Sequence, residues 1–324
     1  MDIVVLCGGM SAERDVSIAS GTAAAAALRR CGNNVSLIDM FFGNKIEELS
    51  VGVSENAPNL ENLRKQKSGS SRIGDNVPEI CKACDIVFIA LHGEDGEDGK
   101  IQSMLDLIGV KYTGTGVLGS AIAMDKDITK QLFLQNGINT PQRYAAEAAK
   151  FPCVVKPNAS GSSVGVSIVM DAREYPAALA EAAKYGEVIV EQYIPGREFT
   201  VGVIAGKALP VGEIRPKTGF FDYKNKYQDG LTDEIFPAEI SAELTTKLQR
   251  EAERVFKVLK FEVYGRMDFI VDESGETWCI EGNTLPGITP MSLIPKAAAA
   301  AGMSYDDFCE AIVHESLKKY GEIS

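Results

Sequence analysis

Positive charge is scarce in this sequence: 33 Lys and Arg stand against 45 Asp and Glu, for a net charge of -12. Such a field repels phosphate backbones, so nucleic acid is excluded as a partner, and any anionic ligand must meet locally placed Lys and Arg. Long apolar runs are missing as well. No stretch approaches the length of a membrane-spanning helix, and the apolar start IVVLCGG lacks the basic region and full apolar core of a secretory signal; no membrane association is expected. Cysteines number seven, an odd count scattered through a long chain, which reads as reduced thiols in the cytoplasm. Cys81 and Cys84 form one CxxC, but no second pair completes a zinc site, and local packing of two small side chains is the better reading. The first glycine turn, GGMSAE, is not GxGxxG, so the dinucleotide fingerprint of a dehydrogenase is lacking too. No tandem repeat is visible.

What remains is an ordinary globular composition, 45% apolar and 24% charged, in a chain of 324 residues that can bury more than one core. Its most informative stretch runs from Gly265 to Leu293. Two apolar runs, MDFIVD and TWCIEGN, flank a Glu-Ser-Gly-Glu turn and predict a β-hairpin. Asp268 and Glu281 stand six residues before and after the Ser274-Gly275 centre, so a symmetric hairpin sets them directly opposite each other. Asn283, two residues on, shares the face of Glu281. Opposed carboxylates destabilise a sheet unless a cation lies between them, and three hard oxygen donors suit Mg²⁺.

Elsewhere the chain alternates strands and helices. Asp2 to Leu6, Gly8-Gly9 and Val16 to Arg30 read as strand, turn and helix, the start of a Rossmann-like unit. The polar stretch within Gly43 to Pro78 reads as a surface loop or lid. Asp85 to Leu91 is a strand buried on both faces, ending at His92 in a glycine- and acid-rich turn before the helix Ile101 to Ile108. Functional groups gather at such carboxyl ends, so His92 is either a ligand contact or a turn fixture; His314, in the last helix, reads as a surface residue.

Val117 to Asn136 reads as one helix, and the spacing of Lys126 and Lys130 by itself indicates a solvated face. Phe151 to Val155 is a strand leading into Lys156 and the loop NASGSSVG, whose small residues let backbone N–H groups turn towards a phosphate. Val188 to Ile194 is a strand, and Glu191 and Glu198 bracket a hinge after it. The stretch RPKTGFFDYKNKYQDG has the character of a lid. Ser241 to Phe261 is an amphipathic helix, and Ser292 to Ala301 and Ser304 to Lys318 are helices, the last opening with a Ser304-x-x-Asp307 capping pattern.

Eight segments in order, GGMSAERDVS, HGEDGEDG, YTGTGVLGSAIAMDK, VVKPNASGSSVG, VEQYIPGREFTV, FFDYKNKY, GRMDF and EGNTLPGITPMSLIP, resemble the D-alanine:D-alanine ligase family of the ATP-grasp superfamily along almost the whole chain. The resemblance implies an α/β protein, α+β in parts. A Rossmann-like domain (1–122) would precede an ATP-grasp fold of two sheet-containing domains (123–194 and 195–324). It implies ATP and D-alanine as substrates and two Mg²⁺ ions, for which Mn²⁺ could substitute, held by Asp268, Glu281 and Asn283. Lys126 and Lys156, with Ser162 and Ser163, would meet the phosphates; Glu191 and the backbone near Ile194 the adenine; Glu198 the ribose. Glu13 would hold the ammonium of the first D-alanine, with Ser17 and His92 nearby. Arg266 and the Gly287 N–H would stabilise the oxyanion, Ser292 and Leu293 would receive the second carboxylate, and Lys226 and Tyr227 would close over the site. The expected product is D-alanyl-D-alanine for peptidoglycan, made by a cytoplasmic homodimer. D-serine or D-lactate as second substrate, or a nucleotide-binding regulator without turnover, are the alternatives.

Overall fold

The computed structural model describes residues 1–46, 58–67, 69–217 and 230–321. Strands β1 (Asp2–Cys7), β2 (Asn34–Asp39) and β3 (Ile86–Ile89) form a parallel sheet in the order β2-β1-β3. The intervening helix α1 (Arg14–Arg30) starts after Gly8 and Gly9, both at φ 75°. At Gly8 a Cβ would stand within 2.9 Å of Asp39 and Arg14, so the turn has room only for glycine. Short helices α2 (Leu60–Arg64) and α3 (Val77–Lys82) lie in the polar stretch between β2 and β3. That stretch is tied to the first domain: Arg72 donates to the Met10 carbonyl at 3.0 Å and pairs with Asp95 at 2.5 Å.

After α4 (Lys100–Leu107), the expected single helix is two: α5 (Val117–Met124) and α6 (Lys126–Gln135). Asp125, at ψ 102°, breaks the run and caps α6 by accepting from the Ile128 N–H at 3.0 Å. A four-stranded antiparallel sheet follows, β4 (Arg143–Tyr144), β5 (Cys153–Pro157), β6 (Ser167–Val169) and, after α7 (Tyr175–Ala182), β7 (Val188–Gln192), ordered β4-β7-β5-β6. The larger antiparallel sheet contains β8 (Arg197–Ile204), β9 (Lys207–Ala208), β10 (Gly212–Pro216), β11 (Thr232–Ile235), β12 (Tyr264–Val271) and β13 (Thr277–Asn283). Helix α8 (Ala242–Val258) packs on it with Leu248, Ala252, Val255 and Phe256 buried, as its stripe predicts. Helices α9 (Leu293–Ala300) and α10 (Tyr305–Lys319) end the described chain. The Ser304 cap is present, accepting from the Asp307 N–H at 3.1 Å.

The last helix returns to the first sheet. Phe308, Cys309, Ile312, Val313 and Leu317 of α10 share one core with β1, β3 and α1. Phe133 of α6 belongs to a second core, with Phe199, Met267 and the buried face of α8. The last helix thus joins the three-stranded sheet to the six-stranded one through Ile204 and Tyr264, while α6 packs on the six-stranded sheet. Cys81 is wholly buried within the first apolar core, its thiol pushed up to about 12 by burial, as local packing requires. His314 is half exposed beside Glu310 at 3.1 Å, also as expected.

Candidate active site

Two cavities meet between the sheets. One, of about 690 Å³, is walled by Val154 and Lys156 of β5, Glu191 of β7, Glu198 of β8, and Asp268 and Ile270 of β12. The other, of about 520 Å³, lies among Glu13 before α1, His92 after β3, Arg266 of β12, Gly287, and Ser292 before α9. Lys126, Ser160, Gly161, Ser162 and Glu281 line both. Lys126 and Glu281 approach to 3.9 Å at that shared wall.

The larger cavity rests on buried charge. Lys156 pairs with Glu191 at 2.5 Å, and Lys130 pairs with the other oxygen of the same carboxylate at 2.7 Å. All three side chains are at most 5% exposed. Lys130 also donates to Thr140 Oγ1 at 3.0 Å. The solvated-face reading of Lys126 and Lys130 is therefore overturned. The break at Asp125 starts a separate helix whose Lys126, Lys130 and Phe133 side chains all point inward. Burial opposes ionisation of Glu191, yet two lysines outweigh it and hold the carboxyl below its ordinary value. Burial, reinforced by the charge of Lys156 and only partly opposed by Glu281 and Glu191, pulls the Lys126 and Lys130 ammonium groups below lysine's ordinary range.

Above these lysines lies the small-residue loop. Ser162, Ser163 and Gly165 take φ 49°, 57° and 72°, and the loop is closed by the Val164 and Val166 N–H groups donating to the Gly161 and Ser163 carbonyls at 3.2 and 3.3 Å. Lys126 donates to the Ser160 carbonyl at 2.7 Å, which anchors the loop over the shared wall. Ile194, largely buried, and Glu198 line the far end of this cavity.

The hairpin closes the site from the other side. Asp268 pairs directly with Glu281, and Arg266 with Asn283. The register expected from the turn is correct, but the turn alone does not produce it. Nearer the turn, Phe269 faces Cys279 and Val271 faces Thr277, and a bulge next to Asp268 shifts the pairing by one residue. Arg266 lies over Asp268 with contacts of 2.8 and 3.0 Å, and Thr200 donates to Asp268 Oδ1 at 2.7 Å. Among the described residues no three His, Cys, Asp or Glu gather, so the available donors are two carboxylates and the Asn283 amide oxygen. The two opposed carboxylates, in contact with the Arg266 guanidinium and the Lys126 ammonium, form with the Asn283 amide oxygen an all-oxygen donor set of the kind that suits a hard divalent cation.

On the smaller cavity, Glu13 accepts a hydrogen bond from Ser162, which joins the turn before α1 to the loop after β5. Ser17 lines neither cavity. It sits inside α1, wholly buried, accepting from the Gly8 N–H at 2.8 Å and donating to the Ala90 carbonyl at 2.7 Å; its hydroxyl holds the glycine turn that aims Glu13. His92 is a cavity residue whose ring nitrogens are both engaged. Nδ1 faces the Leu285 carbonyl at 2.9 Å, which requires a proton on Nδ1, and Nε2 meets Ser20 Oγ at 2.8 Å. Ser292 bonds Thr289 at 2.8 Å, and Gly287 is so close that a Cβ there would stand 3.0 Å from Ser292 Oγ. Lys226 and Tyr227 fall outside the described residues.

Sequence reasoning missed several groups. Thr200 reaches Asp268 only through the β8–β12 pairing, which no local pattern announces. Glu97 lies beside His92 at 3.8 Å within the glycine- and acid-rich turn after β3, where several carboxylates stand close together and nothing local singles it out. Lys296, one helical turn past Ser292, was open to discovery from its spacing.

Two antiparallel sheets over a cavity lined by lysines, with a carboxylate hairpin at its end, define an ATP-grasp architecture. Residues 2–115 match the family described as D-ala D-ala ligase N-terminus, and residues 126–314 match D-ala D-ala ligase C-terminus. The D-alanine–D-alanine ligase of Pediococcus pentosaceus is 41% identical, covering 100% of this chain and 99% of that protein. The ligase of Syntrophotalea carbinolica is 41% identical over 98% and 97% of the two chains. The solved D-alanine–D-alanine ligase from Bacillus anthracis complexed with ATP aligns with a TM-score of 0.79 at 32% identity, covering 99% of each chain. The VanG D-Ala:D-Ser ligase from Enterococcus faecalis aligns at 0.79 and 27% identity, over 97% of this chain and 99% of that one. The chain belongs to the D-alanine–D-alanine ligase family.

Proposed function

We propose that this protein joins two D-alanines to D-alanyl-D-alanine at the expense of ATP, through a D-alanyl phosphate, for peptidoglycan precursor synthesis. The observation that carries this reading is the shared wall: two cavities, of about 690 and 520 Å³, meet at Lys126 and Glu281. A phosphoryl group reaching the end of one cavity lies beside a carboxylate held in the other.

In this reading ATP lies in the larger cavity. Its adenine is at Ile194 and Glu191, its ribose at Glu198, and its phosphates are under Ser162 and Ser163 beside Lys126 and Lys156. Asp268, Glu281 and Asn283 hold Mg²⁺, two ions by the family pattern. When bound, the metal neutralises charge on the transferring phosphoryl group. Glu13 receives the ammonium of the first D-alanine, whose carboxylate oxygen attacks the γ-phosphorus and leaves ADP and an acyl phosphate. The amine of the second D-alanine attacks the acyl carbon, and Arg266 with the Gly287 N–H meets the oxyanion that forms. His92 keeps the Leu285 segment in place behind Gly287. Ser292 and Leu293 receive the acceptor carboxylate, and Lys226 and Tyr227 belong to the segment that shuts out water, to which an acyl phosphate would be lost. Three units, 1–122, 123–194 and 195–324, supply these groups in a cytoplasmic homodimer.

The test is product identification with ATP and D-alanine, D-serine and D-lactate offered together. D-alanyl-D-alanine as the main product supports the reading. A D-serine-terminated product would reassign the acceptor, and no ADP release with any of them would leave only a nucleotide-binding protein.

A further inference from the structure

The cation that meets the acceptor's carboxylate is not identified by the roles above, which give Ser292 and Leu293 to that group but supply no charge. Three Lys or Arg side chains line the smaller cavity among the described residues: Lys126, Arg266 and Lys296. Lys126 is committed at the shared wall, to the Ser160 carbonyl at 2.7 Å. Arg266 lies on Asp268 at 2.8 Å. Lys296 remains, on α9 one turn beyond Ser292 and on the same face, where residues four apart are neighbours. Its ammonium pairs with Glu234 of β11 at 2.8 Å, and the two side chains are 29% and 15% exposed. Glu234 lines the same cavity. Asp233, next to Glu234 in the chain, pairs with Lys217 at 3.3 Å.

Two further observations favour an anion here. Ser292 makes no side-chain cap to α9, because its hydroxyl is bonded to Thr289, so the first-turn N–H groups are not capped by it. A helix N-terminus alone is weak, but here it converges with a half-buried ammonium on one cavity wall.

We propose that Lys296 binds the carboxylate of the acceptor amino acid and that Glu234 positions its ammonium, so that this pair selects acceptors carrying an α-carboxylate. The proposal rests on the ligase reading. Glu234 holds Lys296 against the wall in the absence of acceptor and keeps one salt contact when the carboxylate arrives, so the ammonium is never left without an anion.

The test compares two acceptors, D-alanine and D-alaninamide, in which a neutral carboxamide replaces the carboxylate, at saturating ATP. D-alanine is varied alone above the concentration that fills the donor site, D-alaninamide is varied at D-alanine held just at that concentration, and dipeptide and dipeptide amide are quantified separately. A charge-assisted hydrogen bond of about 1.5–3 kcal/mol corresponds to about 10–100-fold in affinity. Lys296→Met should therefore raise the acceptor KM for D-alanine about tenfold or more, leave that for D-alaninamide within about twofold, and leave the KM for ATP unchanged. Lys296→Arg should restore most of the preference. Glu234→Gln should raise the D-alanine acceptor KM less and retain the preference for carboxylate, which tests the pair independently of how well Lys296→Met folds. Equal losses on both acceptors, or an unchanged ratio in Lys296→Met, would overturn the proposal. Wild-type protein that forms no dipeptide would overturn the ligase reading and this proposal with it; wild-type activity with an unchanged ratio removes the pair alone.

Discussion

The larger cavity is held by charges locked on strands and a helix, whereas the smaller one is assembled from segment ends that meet only in the folded chain. Lys156, Glu191 and Lys130 form a continuous buried array, every member at most 5% exposed. Around the smaller cavity, Glu13 reaches Ser162 across a domain junction, Lys296 reaches Glu234 from a helix to an edge strand, and Arg266 covers Asp268. A buried array cannot lose a member without stranding a charge in the protein interior. Pairs at segment ends can exchange one partner for a substrate. Substitutions in the first region should appear mainly as loss of stability, and substitutions in the second mainly as changes in kinetic constants.

The largest expected effect tests the first half of that contrast. Lys130→Met leaves Glu191 with one lysine where it had two, and breaking a buried pair costs about 3–5 kcal/mol. Urea unfolding should show a loss of that order, and ATP should recover part of it. A stability change below about 1 kcal/mol would mean that the array is solvated after all.

Arg266→Ala tests the second half. Removing one oxyanion donor costs about 2.7–4 kcal/mol, so turnover should fall about 10²–10³-fold while the KM for ATP changes little and folding stays intact. Equal losses of turnover and ATP affinity would place Arg266 among the nucleotide contacts.

Acid unfolding separates the regions by pH. Burial works against an ionised Glu191, but its lysines depress the folded pKa below the ordinary 4.5. Such a group adds stability that is complete above the unfolded pKa and lost as pH falls through the folded one. Between those values the unfolded state binds more protons, so stability rises with pH. Glu191→Gln should flatten the decline in stability below about pH 4.5. A profile of unchanged slope would contradict the depressed pKa.

The smallest effect is a control remote from both cavities. Ser304→Ala removes the α10 cap and should cost about 1 kcal/mol, with every KM unchanged.

Much of this architecture was legible in residue order. The hairpin residues could be named because pairing across a tight turn is local arithmetic, although the bulge beside Asp268 escaped notice and the register is correct only because of it. The glycine turn after β1 and the stripe of α8 were equally local. Lys130 was misread for the opposite reason. Periodicity tells which residues share a face, not whether that face meets water, and the partner of Lys130, Glu191, lies 61 positions away on strand β7. Thr200 was invisible on the same ground, and the burial of α10 against α1 depends on elements at opposite ends of the chain. Ser17 entered through family resemblance, and its bonds to Gly8 and Ala90 explain its presence as support for Glu13 rather than as a substrate contact.

The central claim is that the two cavities share one wall so that phosphate passes from nucleotide to carboxylate there. The most direct test follows the oxygens. Ligation run with D-alanine carrying ¹⁸O in both carboxylate oxygens should release inorganic phosphate bearing one ¹⁸O per dipeptide formed, because the attacking oxygen leaves with phosphorus when the amine displaces it. Phosphate free of ¹⁸O, with dipeptide still formed, would contradict the acyl phosphate route and the shared wall built to serve it.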